Sequence, residues 1–455
     1  MTDKYLSRSD FQVAYNELEV GPNKLNAMLA LSDRDGQNSG DLSGIAIAIK
    51  DNIEAVGLPA SAGSRALTAE VKSDAPIVTH LLNAGAQLVG STNLSEWANI
   101  RSTHSTSGWS AVGGLVGNPW ALDRSAGGSS AGSGAAVAAG LVSVAIGTET
   151  DGSIVCPASL NGVVGLKPTV GSVSSTGIVP VSLTQDTAGP IAVDVSLAAR
   201  TFAVIANQPD LLTDLAAASE MPKNLRIGVA TNWLTEHAAT DAVFERAIKL
   251  LEPLVQGIAD CDVPAADAEI GEAEWVALMA ELQTDLDTYL KTRRPDNPHK
   301  SLAEIHAFNL QDELELKHFG QECFDDAIIS GGRSSETYKQ ARNRAHNWAK
   351  EIHTKAFGDF DLLVAPTYGP AWKSDLALGD RFVGGAVTSP AAIAGTPLLC
   401  LPMGLVDGLP VGLTIAGPAN SELQLLALGL QLEKVLGTRR VEDGFKPEFR
   451  LPIRG

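Results

Sequence analysis

Two segments of this chain carry residue types that can do chemistry on their own: a loop of small residues and a lysine that closes an apolar run. The loop, Ser125 to Gly134, reads SAGGSSAGSG. One use for such a loop is to cradle phosphate, but the nearest match to that pattern, GVVGLKPT from Gly162 to Thr169, has the wrong spacing and a proline after its lysine. A second use is a nucleophile elbow, since Gly128-Ser129-Ser130-Ala131-Gly132 fits G-x-S-x-G with Ser130 at its centre. That reading needs a strand leading in and a histidine downstream. The preceding GNPWALDRSAG does not read as a strand, and His299, His306, His318, His346 and His353 fall in a helically patterned region. A third use needs no histidine, because a serine can be activated by a lysine whose amine is neutral near pH 7. Desolvation lowers a lysine pKa, and Lys50 at the end of GIAIAIK is placed for that. Taken alone, Lys50 reads more readily as a solvated strand end or a salt bridge to Asp51 than as a base.

The elements that must position these residues alternate in type. Asp3 to about Asp35 reads as a helix followed by a polar loop, and Gly44 to Lys50 as a buried strand. Asp74 to Ala86 has helical spacing, with Ile77, Leu81, Leu82 and Ala86 on one side, and Gln87 to Gly90 reads as a strand. The Ala-rich run after Gly134 favours a helix, and LVSVAIG a buried strand. From about 263 to 359 the charge density rises and long helical patterns appear, which read as a helical insertion or lid forming the substrate entrance. FDLLVAP, TPLLCLPMG and PVGLTIAGP are strand-like, and SELQLLALGLQLEKVLG is a closing amphipathic helix. This alternation implies an α/β fold, and no internal repeat competes with it.

Composition narrows the function. Of 455 residues, 34 are Lys or Arg and 53 are Asp or Glu, a formal charge of −19. Such a chain repels phosphate backbones and anionic membranes, so neither nucleic acid nor a membrane is expected as partner. No run of 18 apolar residues appears, and MTDKYLSRSDFQ is no secretory signal. The four cysteines, Cys156, Cys261, Cys323 and Cys400, lie far apart and form no CxxC, so a reducing cytoplasm is the expected compartment and no zinc or other metal site is implied.

Together, Lys50 in AIAIKDNI, Ser129 in AGGSSAGSGAAVAAG and Ser153 in GTETDGSIVCPA, 24 residues after Ser129, make the chain similar to the amidase signature family. GLPASAGS, TNLSEWA, NGVVGLKPT and GLPVGLTIAGP extend the likeness over roughly residues 20–437. Within the family, GTETDGSIVCPA with NLSEWAN and SGWSA most resembles bacterial peptide amidases, which release ammonia from C-terminal peptide amides.

The resemblance implies one domain over 1–455. Its core would be about 20–262 and 360–437, with a mixed central β-sheet covered by helices on both faces and the helical insertion about 263–359. It implies a cofactor-free amide hydrolase in which Ser153 is the nucleophile and Ser129 bridges it to Lys50, with a cis Gly128-Ser129 bond. Backbone N–H groups of Thr150, Asp151, Gly152 and Ser153 would hold the oxyanion. Asp151 stands where many members have glycine, so its carboxylate is expected to turn away and bond to nearby loop groups. Ser130 and Ser133 are expected as loop hydrogen-bonders, Thr148 and Thr150 as strand-end packing, and Cys156 as a small buried residue. Asn93, Ser95 and Trp97 either line the acyl pocket or support the loop, and Arg101 and Trp109 either touch substrate or pack at the surface. The expected partner is a small or peptide amide, with a homodimer the largest assembly implied. Two alternatives remain, a general small-amide amidase and the glutamine-hydrolysing component of a tRNA-dependent amidotransferase, although ISGGRSSETYKQAR and SPAAIAGTPLLC depart from the latter's pattern.

Overall fold

Apolar and β-branched runs recur along the chain, and in the computed structural model, which describes residues 4–20, 24–440 and 442–447, they form one 11-stranded sheet. In chain order its strands are β1 (Met28–Asp35), β2 (Ala46–Lys50), β3 (Gln87–Thr92), β4 (Val144–Glu149), β5 (Val164–Lys167) and β6 (Thr187–Ala192). They continue with β7 (Arg226–Ala230), β8 (Gly257–Cys261), β9 (Leu362–Pro366), β10 (Leu398–Val406) and β11 (Leu409–Ala416). The spatial order is β1-β3-β2-β4-β6-β5-β10-β11-β9-β7-β8. β3, β2 and β4 run parallel, as do β9, β7 and β8, and the remaining pairs are antiparallel, so the sheet is mixed as expected.

β2 lies between β3 and β4, and all five of its residues are buried. Burying Ile47 and Ile49 there contributes about 1.5–3 kcal/mol each. Helices cover both faces, and alternation along β10 shows it. A Cβ added to Gly429 in the closing helix Glu422–Leu436 would meet Leu399, whereas one added to Gly412 would meet Cys400 together with Ser159 of the helix Val155–Asn161. Neighbouring strand residues therefore face different helices.

Two expectations fail locally. The polar loop expected before Asp35 contains β1, an edge strand antiparallel to β3. An edge strand needs only one neighbour, so Ser32, Asp33 and Arg34 can sit in it, Asp33 exposed and Arg34 bonded to Asp74. The helix before it runs Arg8–Leu18, capped by Ser7, and its expected start at Asp3 lies outside the described residues, as do the outermost ends of the 1–455 span. GNPWALDRSAG, expected to be non-strand, holds Ala121–Ser125, which pairs with Gly117–Asn118. A ribbon that short shows no periodicity in sequence.

Residues 263–359 fold as the helices Ala268–Thr292, Leu302–Asn309, Glu322–Ile329 and Glu336–Asp359. Leu282, Leu286, Leu290, Ile305 and Phe324 share an apolar cluster there with Ala66 and Trp97. Among the described residues no helix is long and apolar enough to cross a membrane.

Candidate active site

The three parallel strands β3, β2 and β4 end on the same side of the sheet, the side where open α/β sheets hold their ligands. Lys50 closes β2, Thr92 closes β3, and Thr148-Glu149 close β4. Lys50 is fully buried, and its Nζ donates to Ser129 Oγ at 2.7 Å, to Thr148 Oγ1 at 2.9 Å and to the Thr148 carbonyl at 3.2 Å. Three contacts match the three protons of an ammonium. Once one proton is lost, the contact to Ser129 reverses and the amine accepts. Burial drives the Lys50 pKa down to about 7, against the pull of Asp186 and Glu149. Asp51 takes no part, because its carboxylate accepts from the amide and hydroxyl of Ser61.

Ser129 follows a cis peptide bond from Gly128 and precedes the buried helix Ala131–Ala139. Its carbonyl accepts from the Ser95 amide at 3.0 Å, and Ser130 N–H donates to the Ser153 carbonyl at 3.2 Å, which ties the two serine loops together. The Ser130 side chain donates to the Thr148 carbonyl and its Oγ accepts from the Thr148 amide, so the elbow reading fails: this hydroxyl is spent on structure. Ser133 shares a hydrogen bond with Thr92. Ser153 is 8% exposed and makes no side-chain hydrogen bond to another described residue, Ser129 included, while it lines a cavity of about 490 Å3. Lys50 and Ser129 are thus in direct contact, and Ser153 stands at the adjoining loop with its hydroxyl unengaged.

The turn before Ser153 is held from below. Glu149 Oε2 accepts from the amides of Ile154 and Val155, at the start of the helix Val155–Asn161. Thr150 Oγ1 donates to Asp186 at 2.6 Å, and the other oxygen of Asp186 accepts from the Val181 and Ser182 amides. Gly152 sits at φ +78°, a left-handed turn that a side chain would strain. Among the described residues the amides of Thr150, Asp151, Gly152 and Ser153 donate to no protein group, so they are available to an anion. Asp151 lines the cavity, and its carboxylate accepts from Ser389 Oγ at 2.9 Å; burial raises its pKa. Burial likewise pushes Asp186 to about 7 and raises Glu149.

Besides this floor, the cavity is walled by Tyr368, Trp372, Asp380, Phe382, Gly384 to Ala386, Thr388 and Ser389, with Ala98, Asn99 and Ser107 alongside. The helices of 263–359 were expected at the entrance, yet only Ala265 and Ala266, ahead of the first of them, line it. Their apolar faces are used on one another and on Trp97, which leaves the entrance to a loop.

Asn93, Ser95 and Trp97 support rather than line the cavity: Asn93 bonds the Asn26 and Gly114 carbonyls, Ser95 Oγ accepts from the Gly108 amide, and Trp97 meets Phe324 edge-on. Arg101 is fully buried beside Glu96 and over the Phe319 ring, and Trp109 packs on the same ring, so neither touches the cavity nor lies at the surface. Cys156 is buried but lines the cavity. Sequence reasoning missed Asn52, which donates to Thr148 Oγ1, and Glu149, Asp186, Asn99 and Asp380. Glu149 alone left a local trace, a carboxylate between an apolar strand and the Ser153 turn.

Comparison with known proteins shows the family and the fold. The amidase family profile matches residues 3–426. The structure superposes on the peptide amidase from Stenotrophomonas maltophilia with a TM-score of 0.86 and 38% identity, covering 97% of this chain and 93% of that one. A peptide amidase bound to the competitive inhibitor chymostatin gives 0.87 and 39%, covering 97% and 95%. A glutamyl-tRNA(Gln) amidotransferase component from Symbiobacterium thermophilum is 33% identical over 420 residues, covering 87% of this chain and 83% of that protein.

Proposed function

The chain belongs to the amidase family and is an enzyme that hydrolyses amide C–N bonds, and from that premise we propose that it releases ammonia from C-terminal peptide amides through an acyl-enzyme on Ser153. The observation that carries the chemistry is the buried contact between Lys50 Nζ and Ser129 Oγ, beside the unengaged Ser153 hydroxyl. Neutral Lys50 takes the proton of Ser129 as Ser129 takes that of Ser153, and Ser153 Oγ bonds to the amide carbon. The oxyanion faces the amides of the turn at 150–153, where each donor is typically worth about 3 kcal/mol of barrier. Collapse breaks the C–N bond, the proton returns through Ser129 to ammonia, and water repeats the sequence to free the acid. No other group is needed for the proton balance.

Peptide amides are favoured by the likeness to peptide amidases and by a cavity within the usual range for small ligands, about 300–1,000 Å3. The curated relatives named as amidotransferase components support a second reading, hydrolysis of glutamine for a partner. Free glutamine carries an α-carboxylate, and the described cavity lining offers it two aspartates and no lysine or arginine. The test is ammonia release from C-terminal peptide amides, small aliphatic amides and glutamine, with Ser153→Ala as control. Peptide amides should dominate; turnover of glutamine alone would favour the second reading.

A further inference from the structure

Asp380 contributes a carboxylate to the cavity that the hydrolytic chemistry does not use. It accepts from Trp372 Nε1 at 3.0 Å, from the Ser107 amide at 3.1 Å and from Ser107 Oγ at 2.5 Å. All of these donors are neutral, and among the described residues no lysine, arginine or histidine pairs with it. Ser107 in turn accepts from Asn99 Nδ2 at 3.0 Å, which leaves Asn99 Oδ1 buried with no hydrogen-bond partner. The nearby wall is aromatic: the Phe382 ring lies 5.7 Å from both Tyr368 and Trp372. The Asp380 carboxylate thus stands among aromatic rings, and the described lining has no cationic side chain to offset its charge. A neutral apolar acyl group would leave Asp380 uncompensated, whereas a group bearing positive charge would offset it.

We propose that this cavity selects amides whose acyl portion carries an ammonium or guanidinium, with Asp380 as the specificity-determining residue. The inference rests on the cavity being the acyl site of the amidase. The cation could be the free α-amino group next to the scissile amide or a basic side chain, and the same panel separates these sources. Leucinamide carries only the first, N-acetyl-lysinamide only the second, and N-acetyl-leucinamide neither.

At least one cationic amide should exceed N-acetyl-leucinamide in kcat/KM by about tenfold or more, mostly through KM, and 0.5 M salt should shrink the ratio. Asp380→Asn should bring the ratio close to one. A ratio near one in the wild type, or an equal loss on all three amides in Asp380→Asn, would overturn the proposal, the latter by assigning Asp380 a structural role. Should that variant not fold, n-butylammonium binding to the wild type by calorimetry decides. It should bind about tenfold or more tightly than n-butanol, and equal affinities would overturn the proposal. Ammonia release from no amide would sink the amidase reading instead, and the calorimetry would still test the cation preference.

Discussion

The floor and the wall of the cavity are built by different means. On the floor, Lys50, Ser129 and Ser153 come from one contiguous stretch of about a hundred residues and are fixed by backbone: a strand end, two helix starts and a left-handed glycine. Around Ser129 the chain is small and buried throughout, from Ser125 to Ala138. The wall comes mostly from the segment Tyr368 to Ser389, far away in sequence, and presents side chains: aromatic rings and the Asp380 carboxylate, held by neutral hydrogen-bond donors. The difference separates two jobs. Under the proposed mechanism, proton transfer requires fixed distances and a dry lysine, which backbone geometry provides, whereas substrate choice would require only side chains that can be exchanged without moving the floor.

Substitutions on the floor should therefore have the largest effects. Ser153→Ala should lose activity by on the order of 10^4-fold or more, with an unchanged circular dichroism spectrum, because it removes the bond-forming atom. Lys50→Met should lose about 10^2–10^4-fold, the usual weight of a general base, and should melt no lower than wild type in calorimetry, since a desolvated amine is replaced by an apolar chain of similar length. A large fall in melting temperature with activity retained would reverse the roles assigned to the floor. Wild-type kcat/KM should fall about tenfold per pH unit below pH 7 and level off above it. The sign follows from Lys50: burial sets its pKa at about 7, and only the unprotonated amine can accept from Ser129. An acid-side plateau down to pH 5 would contradict that assignment.

The wall and the joint between the two regions should give smaller effects. Asp380→Asn is expected to change preference among amides rather than to abolish turnover. Gly152→Ala tests where floor and wall meet, since the added methyl would be 3.0 Å from Tyr368 Oη at a residue with φ +78°. It should cost about 1–2 kcal/mol of stability, read from denaturant melts, together with a modest rise in KM.

How much of this was readable in the sequence follows the same division. The floor was legible through resemblance: its residues sit in short, dense motifs shared with the amidase signature family. β2 was plain from GIAIAIK, but the contact of Lys50 with Ser129 was implied only by that likeness, since Lys50 by itself reads more readily as a solvated strand end. β1 escaped because an edge strand tolerates Ser32, Asp33 and Arg34. The wall was illegible because nothing local marks Asp380 or Asn99; they meet at Ser107, eight residues from Asn99 and 273 from Asp380. Arg101 was read as a residue of the substrate site or the surface and is neither, because its charge is met by Glu96 inside the molecule, a pairing that composition cannot reveal.

The central claim is that Ser153, rather than its neighbours Ser129, Ser130 or Cys156, becomes acylated. Reaction with an activated 4-nitrophenyl ester, followed by intact-protein mass and peptide mapping, tests it directly. The account predicts one acyl group per chain, on Ser153, formed faster as pH rises through about 7 and absent in Ser153→Ala. An adduct on Ser129, Ser130 or Cys156 in the wild-type enzyme would contradict it.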